Sequence, residues 1–203
     1  MRDVQDGRVV YLMRHGEPMG GVRYRGSTDD PLSPGGLREM QNALAGCGAF
    51  DTIVSSPLRR CADFARSLAE RSGTPLAIEP AFREMHFGAW EGQTPQTLMA
   101  ACPELLRQFW ADPRAHPPPG AEPLDRFRKR VIGAWRAHVG AWEGQPLLLI
   151  VHGGTVRVIL AFEQLLSVRE LMSLDVPYAS VHTLHLKSGG DRAELELKTT
   201  DAR

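Results

Sequence analysis

The sequence predicts an α/β protein with three layers, a three-layer α/β/α sandwich in which helices cover both faces of a mostly parallel central sheet. Three observations lead to this prediction. Strand-like apolar runs alternate with helix-like segments, the strongest runs are continuously apolar, and the chain closes with an alternating pattern typical of a hairpin. Continuous apolar runs are typical of strands buried on both faces, so helices are expected on both sides of the sheet.

Four segments are predicted as buried strands. The strongest is residues 147–151, five aliphatic residues in a row. The others are residues 8–13, 52–55 and 76–78. Near the end of the chain, residues 181–187 and 193–198 alternate apolar and polar side chains around Ser188-Gly189-Gly190-Asp191. That pattern predicts a hairpin, which would add antiparallel strands to the sheet.

The predicted helices begin at recognisable capping sequences. Ser33-Pro34 supplies an N-cap and a first-turn proline for a helix that ends near Gly46. Ser56-Pro57 and Thr94-Pro95 are interpreted in the same way, as the starts of a second helix and a short third one. Three further helices are predicted: residues 124–142, a helix with Thr155 near its cap, and one opened by the capping box Ser167-Val168-Arg169-Glu170.

The proline-rich run His116-Pro117-Pro118-Pro119-Gly120 cannot continue a helix. We expect it to form an ordered loop over the edge of the site. The length of 203 residues suits one sizeable core and is short for two ordinary domains, so a single domain over residues 1–203 is expected.

Composition and charge exclude several classes of function. Lys plus Arg and Asp plus Glu both number 24, so no general attraction to nucleic acid or anionic lipid is expected. The chain has no apolar stretch long enough to span a membrane, and its polar start lacks a signal-peptide core, which favours a cytoplasmic protein. Its oligomeric state stays open between monomer and homodimer. The widely spaced Cys47, Cys61 and Cys102 favour buried thiols over a disulfide or a zinc site.

Cationic and histidine side chains follow three of the predicted strands. Arg14-His15 follows the first strand, Arg60 the second, and His152 with Gly153-Gly154 the strongest. In doubly wound sheets, ligands bind outside the carboxyl ends of the strands. We therefore expect these three segments to converge on one edge of the sheet.

This combination is typical of phosphoryl transfer. A neutral imidazole such as His15 can attack phosphorus when cations offset the charge of the phosphate. The planar guanidinium groups of Arg14 and Arg60 suit the equatorial oxygens of the phosphoryl group. His152 and the backbone N–H groups of Gly153-Gly154, at the start of a helix, would bind the same oxygens.

The leaving alkoxide also needs a proton, for which Glu84 is the expected acid. It lies in the glycine-containing stretch 83–92 and could later activate water as the base. A glutamate beside Arg83 could instead be an exposed ion pair.

Four segments, taken together, make the chain similar to the histidine phosphatase superfamily. They are residues 12–17, 55–60, 83–92 and 151–154, in the order that the superfamily has them. The superfamily includes phosphoglycerate mutases, fructose-2,6-bisphosphatases and broad-specificity phosphatases. The resemblance implies a phosphoglycerate mutase-like fold and a small phosphate ester as the substrate. No cofactor and no metal are expected.

The resemblance also assigns roles to residues. It implies that His15 is phosphorylated, that Arg14, Arg60 and His152 bind the phosphoryl group, and that Glu84 donates the proton. Arg60, not Arg59, holds the family position, because it follows Ser-Pro-Leu-x.

Within the superfamily, the chain most resembles bacterial alpha-ribazole phosphatases, which remove the 5′-phosphate of alpha-ribazole phosphate during cobalamin assembly. Residues 24–33, 60–65 and 109–113 followed by 118–123 carry this likeness. Pro18-Met19-Gly20-Gly21 departs from the family, because many members have a phosphate-contacting asparagine there. Backbone donors or Arg25 would take its place.

Several alternatives stay open. A generalist phosphatase of the same chemistry is the runner-up, and a phosphoglycerate mutase is less favoured because this short chain lacks a further covering segment. A metallohydrolase would use His15, His152 and carboxylates as ligands, but the surrounding arginines would repel a divalent cation. A noncatalytic phosphate-binding module is a third class.

Arg157 could support the site or form a structural salt bridge, and Met85 and Phe87 could contact a substrate ring or belong to the core.

Overall fold

The computed structural model describes residues 7–141, 146–187 and 193–196. Within these residues six strands form one sheet in the order β3-β2-β4-β1-β5-β6. The strands are β1 (Gly7–Arg14), β2 (Thr52–Ser55), β3 (Leu76–Ile78), β4 (Leu147–Val151), β5 (Val181–Lys187) and β6 (Ala193–Glu196). The first four pair in parallel, whereas β5 and β6 are antiparallel to their neighbours. The predicted α/β fold with a mostly parallel sheet is therefore confirmed.

The helices lie in the crossovers between the strands. They are α1 (Pro34–Leu44), α2 (Arg59–Ser72), α3 (Pro95–Ala101), α4 (Pro103–Ala111), α5 (Leu124–Ala141), α6 (Gly153–Glu163) and α7 (Val168–Ser173). Two short 3₁₀ turns, Pro80–Phe82 and Gly88–Trp90, lie between β3 and α3. No helix in the described part of the chain is long and apolar enough to cross a membrane.

Alternation along β4 divides the core between the two faces of the sheet. Leu148 and Ile150 pack with Met40 of α1 and with residues of α2, whereas Leu149 packs with Trp135 of α5 and with α6. Successive side chains of a strand point to opposite faces, so a run of five buried aliphatic residues requires cover on both sides. The predicted three layers follow from this arrangement.

Two predicted helix starts are wrong by a few residues. The second helix begins at Arg59 rather than at Ser56-Pro57, because the hydroxyl of Ser56 contacts other groups and Leu58 takes the N-cap position. The helix after β4 begins at Gly153, with His152 rather than Thr155 at its cap. Ser33 and the Ser167 capping box, in contrast, cap their helices as predicted.

Other differences concern loops and segments without a strong pattern. Helix α4 is absent from the sequence prediction, because only Cys102 separates it from α3. Residues 116–120 form no helix, as expected. They do not line the cavity described below. The carbonyl of Pro119 instead accepts a hydrogen bond from the backbone N–H of Ala89. Trp142, the hairpin turn 188–191 and residues 197–198 lie outside the described residues.

Candidate active site

The three cationic segments meet at the carboxyl edge of the sheet, where β2, β4 and β1 lie side by side. The backbone N–H of His15 donates to the carbonyl of Val151 at 3.0 Å, and that of Ser56 donates to Ile150 at 3.0 Å. The parallel ladder thus continues just beyond the strands. It brings the rings of His15 and His152 to a centroid separation of 5.2 Å.

His15 is buried, and its ring has one nitrogen in use. Nδ1 lies 2.7 Å from the carbonyl oxygen of Gly16, an acceptor that fixes the proton on Nδ1 and leaves the lone pair on Nε2. Burial, followed by the positive charges of Arg60 and Arg14, lowers the pKa of His15 well below its usual value. The imidazole is therefore neutral near pH 7, as a nucleophile must be.

Gly16 follows His15 directly, and its φ angle lies outside the left-handed region, so backbone conformation does not require a glycine here. A Cβ atom at this position would instead lie 2.1 Å from the carbonyl oxygen of Gly36. Glycine thus allows the first turn of α1 to pack directly against the loop that carries His15.

Arg14 is held in place with donors left over. Its Nη1 donates to the carbonyl of Val176, and its guanidinium carbon lies 4.0 Å from the centroid of the Tyr178 ring. Its Nε is buried and has no hydrogen-bond partner among the described residues. A buried N–H without a partner is costly, and a bound anion beside His15 would satisfy it.

Arg60 is an almost fully buried cation, with 1% of its surface exposed. Its Nη atoms donate to the carbonyls of Thr28, Arg25 and Gly26, and its Nε donates to Nδ1 of His152 at 3.2 Å. It forms no ion pair with a carboxylate of the described residues. Dipoles alone compensate this charge, so the positive potential at the site is retained for an anionic ligand.

His152 makes contacts through both ring nitrogens. Nε2 lies 2.6 Å from the Ser56 hydroxyl and Nδ1 accepts from Arg60, which places the proton on Nε2. Burial, then the charge of Arg60, lowers the pKa of His152 well below its usual value. The ring therefore orients Arg60 in this structure, and direct donation from His152 to phosphate stays a prediction.

Glu84 sits at the N-terminus of α6. Its Oε2 accepts from the backbone N–H of Gly154 at 2.8 Å, and its Oε1 accepts from that of Met85 at 2.9 Å. A Cβ atom at position 154 would lie 2.3 Å from Oε1, so this approach requires glycine. The N–H of Gly154, which we predicted to bind phosphate, holds the carboxylate of Glu84 instead. Glu84 forms no ion pair with Arg83 or any other described residue within 4.0 Å.

A cavity of about 260 Å³ opens beside these groups. Arg14, His15, Glu84, Gly153-Gly154 and Arg157 form one end of its wall. Arg60 and His152 lie outside the wall, in contact with the residues that form it. The cavity thus presents a nucleophile, a carboxylate and two guanidinium groups to one small volume.

The model of the histidine phosphatase superfamily (branch 1) matches residues 10–198 of the chain. The chain belongs to this superfamily. A glucosyl-3-phosphoglycerate phosphatase of Mycolicibacterium vanbaalenii is 34% identical over 166 residues, covering 76% of this chain and 73% of that protein.

Solved structures of the superfamily share the fold. The mycobacterial glucosyl-3-phosphoglycerate phosphatase complexed with VO3 superimposes with a TM-score of 0.81 at 29% identity, over 94% of this chain and 98% of the other. The alpha-ribazole phosphatase of Shigella flexneri has a TM-score of 0.79 at 24% identity, over 93% and 95% of the two chains. The predicted phosphoglycerate mutase-like fold is thereby confirmed, with the predicted superfamily.

Arg25, which we predicted to contact phosphate in place of the superfamily's asparagine, binds protein groups in this structure. Its Nε pairs with Asp30 at 2.6 Å, and its two Nη atoms donate to the carbonyls of Gly21 and Met19. All three nitrogens therefore hold the loop after β1. The side chain borders the cavity, and its contact with phosphate stays a prediction.

Glu91 organises the segment that holds Arg60. Its carboxylate accepts hydrogen bonds from the backbone N–H groups of Gly26, Ser27, Thr28 and Phe87 and from the Thr28 hydroxyl. Burial raises its pKa, but these hydrogen bonds outweigh burial and lower the pKa of Glu91 overall. The carbonyls of Gly26 and Thr28, on the same segment, accept from Arg60.

Arg130 of α5 holds the segment of Glu84 in a similar way. Its Nη1 donates to the carbonyls of Ala81 and Arg83, and its Nη2 donates to that of Glu84. Glu122 pairs with the same guanidinium at 2.7 Å. Two long-range clamps, built on Glu91 and Arg130, thus fix the loops that supply the site.

Ser56, Tyr178, Glu91 and Arg130 are the site residues that sequence reasoning missed. Ser56 belongs to the quoted segment 55–60, so its place directly after β2 is a signal that could have found it. Tyr178 and Arg130 follow no motif and reach the site only through the fold.

The thiols and carboxylates of the described residues provide no metal site. No group of three or more His, Cys, Asp or Glu residues among them is placed to hold a metal ion. Cys61 is buried beside His152, and burial raises the pKa of its thiol, which makes it a poor nucleophile. Cys47 and Cys102 are half-buried rather than buried, and all three thiols are free.

Proposed function

We propose that this protein is a phosphomonoester hydrolase that acts through a phosphohistidine on His15, without a metal ion. The observation that carries the proposal is the state of His15: a neutral ring whose Nε2 lone pair is available, beside the free Nε donor of Arg14 and next to a cavity. Membership of the histidine phosphatase superfamily supports the same chemistry.

The first step transfers the phosphoryl group to the enzyme. Nε2 of His15 attacks phosphorus, and the bond from phosphorus to the ester oxygen breaks. Arg14 donates to the equatorial oxygens, and the charge of Arg60 and the N-terminus of α6 stabilise the negative charge that remains on them. Glu84, which enters this step in its protonated form, gives its proton to the leaving alkoxide, so that a neutral alcohol departs.

The second step regenerates the enzyme. The Glu84 carboxylate, now ionised, takes a proton from a water molecule as that water attacks the phosphorus of the phosphohistidine. The bond from phosphorus to Nε2 breaks, inorganic phosphate forms, and both His15 and Glu84 return to their starting protonation states. Neither step requires a cofactor.

We propose alpha-ribazole 5′-phosphate as the natural substrate. The likeness in residues 24–33, 60–65, 109–113 and 118–123 supports this choice, and an alpha-ribazole phosphatase shares the fold. A broad-specificity phosphatase acting on sugar phosphates or nucleotides is the second candidate, favoured by the likeness to glucosyl-3-phosphoglycerate phosphatases. Steady-state kinetics on alpha-ribazole 5′-phosphate beside sugar phosphates and nucleotides separates the two candidates.

Rapid-quench labelling tests the mechanism. With a radiolabelled ester, the wild-type protein should carry acid-labile, alkali-stable label on His15 during turnover. His15→Ala should carry none and lose at least about a thousandfold in kcat. The matched control is His116→Ala, which removes an exposed histidine and should label normally. Verified turnover by wild-type protein without any label on His15 would overturn the proposal.

Two simpler experiments address the competing classes. Exhaustive chelation should leave hydrolysis unchanged, whereas a metallohydrolase would lose activity and regain it with added metal. Incubation with 3-phosphoglycerate should form no 2-phosphoglycerate. Isomerisation faster than hydrolysis would identify a mutase.

A further inference from the structure

Beyond its phosphate end, the cavity has an apolar wall. The side chains that form most of it are aromatic or aliphatic, among them Met85, Phe87, Phe109, Trp110, Leu171 and Met172. Met85 and Phe87 come from the loop that also carries Glu84, whereas the others come from α4 and α7, which contribute nothing to the cluster around His15. The two ends of the cavity therefore differ sharply in chemistry.

Several of the polar groups along this wall are already in use. The Tyr24 hydroxyl accepts a hydrogen bond from Nε1 of Trp110 at 2.9 Å. Arg23 donates to the carbonyls of Gly20 and Gly92, each at 2.9 Å, and all three nitrogens of Arg25 have acceptors. A ligand group rich in hydroxyls or carboxylates would give up its bonds to water here and find few new partners.

The aromatic side chains of the wall support one another. Phe109 makes edge-to-face contacts with Phe87 and Trp110, at centroid distances of 6.4 and 5.8 Å, and Tyr24 contacts Phe87 at 5.2 Å. Such mutual packing presents a stiff surface that orders little on binding. A flat ring is the shape that gains most contact from it.

The mouth of the cavity adds a second, independent observation. Trp110 and Val22 line the cavity, yet 46% and 60% of their surfaces are exposed. Large apolar side chains exposed at the rim of a concave site are typical of a surface that an apolar ligand covers.

We infer that the substrates are phosphate esters whose alcohol carries an uncharged aromatic or similarly flat apolar group. This inference rests on the proposed function and sets its substrate class. His15, Arg14 and Glu84 receive the phosphate, and the aromatic wall receives the rest of the molecule. Esters of small polyols and of carboxylate-bearing alcohols are poorer substrates, because most of the wall is apolar and several of its polar groups already bind one another or the backbone. Alpha-ribazole 5′-phosphate, with its aromatic base, falls within the class.

A matched series of esters tests this inference. Naphthylmethyl phosphate, benzyl phosphate, glycerol phosphate and phosphoserine are all esters of primary alcohols, so the leaving-group chemistry is similar throughout. Values of kcat/KM should fall in that order, with at least about a tenfold difference between naphthylmethyl phosphate and glycerol phosphate.

Variants locate the preference on the wall. Trp110→Ala should lower kcat/KM for naphthylmethyl phosphate by about tenfold and change that for glycerol phosphate by less than about twofold. Met172→Gln, which introduces an amide into the wall, should act in the same direction. Met99→Ala is the matched control, because Met99 is an exposed apolar residue of α3 that does not line the cavity.

The outcomes distinguish this inference from the proposed function. Equal or faster hydrolysis of glycerol phosphate or phosphoserine, with label on His15, would overturn the substrate class and leave the mechanism intact. Equal losses on all esters in Trp110→Ala and Met172→Gln would also overturn it. Absence of label on His15 with every ester that is turned over would overturn the mechanism on which it rests.

Discussion

At the scale of single residues, the chemistry depends on which groups stay uncharged. His15 and His152 share a buried edge of the sheet with Arg60 and with the partly exposed Arg14, and none of the described carboxylates pairs with either arginine. The cost of removing the histidines from water and the nearby positive charges act in the same direction, toward neutral imidazoles. The same cations that attract a phosphate thus keep the nucleophile unprotonated.

This coupling predicts how the titration of His15 responds to Arg14. Removing one positive charge in Arg14→Gln should raise the pKa of His15 toward its usual value of about 6.5. A pH titration of the ring resonances by NMR measures this shift. Arg59→Gln is the matched control, since that exposed arginine pairs with Asp63 and does not contact the site. A titration midpoint of His15 that is identical in Arg14→Gln and wild type would contradict the electrostatic account.

If Glu84 is the acid, the effect of replacing it on the rate of phosphoryl transfer should depend on the leaving group. Glu84→Gln keeps an acceptor for the N–H of Gly154 but has no proton to donate. Phosphoryl transfer from alkyl phosphates should slow by about 10²- to 10⁴-fold, whereas transfer from nitrophenyl phosphate, whose alcohol leaves unaided, should change little. Pre-steady-state bursts measure both rates, with the exposed Glu104→Gln on α4 as control. Equal losses with both esters would show that Glu84 is not the acid.

At the scale of elements, the clamps around the site matter as much as the groups that face the cavity. Glu91 gathers four backbone N–H groups, three of them from consecutive residues of the segment 26–28. The carbonyls of that segment point to Arg60. The carboxylate therefore converts a loop into a fixed set of acceptors for a buried cation.

Glu91→Gln should loosen this clamp. The new amide group would face N–H donors, and each lost bond to the carboxylate costs about 1–3 kcal/mol of folding free energy. At a temperature where the variant is fully folded, we expect the inhibition constant of inorganic phosphate to rise by about tenfold, because Arg60 is less well placed. A merely structural role would lower the melting temperature and leave that constant unchanged. Asp63→Asn, in an exposed pair on α2, is the control.

The sequence predicts most elements because their patterns are local. Continuous apolar runs predict β1, β2 and β4 to within about two residues, and Ser33 and Ser167 predict caps through hydrogen bonds to nearby residues. Ser56-Pro57 fails as a helix start because the hydroxyl that would cap α2 binds His152, which is distant in the sequence. A capping rule considers only neighbouring residues, so it cannot predict a partner that is distant in the sequence.

The residues of the site also divide into those that sequence patterns predict and those whose contacts depend on packing. The rule for parallel sheets predicts that Arg14-His15, Ser56 to Arg60 and His152 converge, and the structure brings them together. The use of the Gly154 N–H by Glu84, and the engagement of Arg25 by Asp30, depend on how two loops pack, which no pattern in either loop encodes. Tyr178, far along the chain from Arg14, has no motif that signals their contact.

At the scale of the whole molecule, the buried histidines connect the site to stability. The pKa values of His15, His152 and His182 are lowered in the folded state, burial being the main cause for each. In the unfolded chain they return to about 6.5. Below that pH the unfolded state therefore binds more protons than the folded state, until the lower folded-state pKa values are reached.

The contribution of these histidines to the free energy of unfolding should accordingly be constant above about pH 7 and fall as the pH is lowered from about 6.5. The expected slope approaches about 1 kcal/mol per pH unit for each fully buried histidine, and the window from pH 7 to 5.5 avoids most carboxylate titration. Urea unfolding measures it. His15→Gln removes one such histidine and should make the slope shallower, whereas the exposed His116→Ala should leave it unchanged. A slope that is equal in wild type and His15→Gln would mean that the pKa of His15 is not lowered in the folded protein, which would contradict the electrostatic account of the nucleophile.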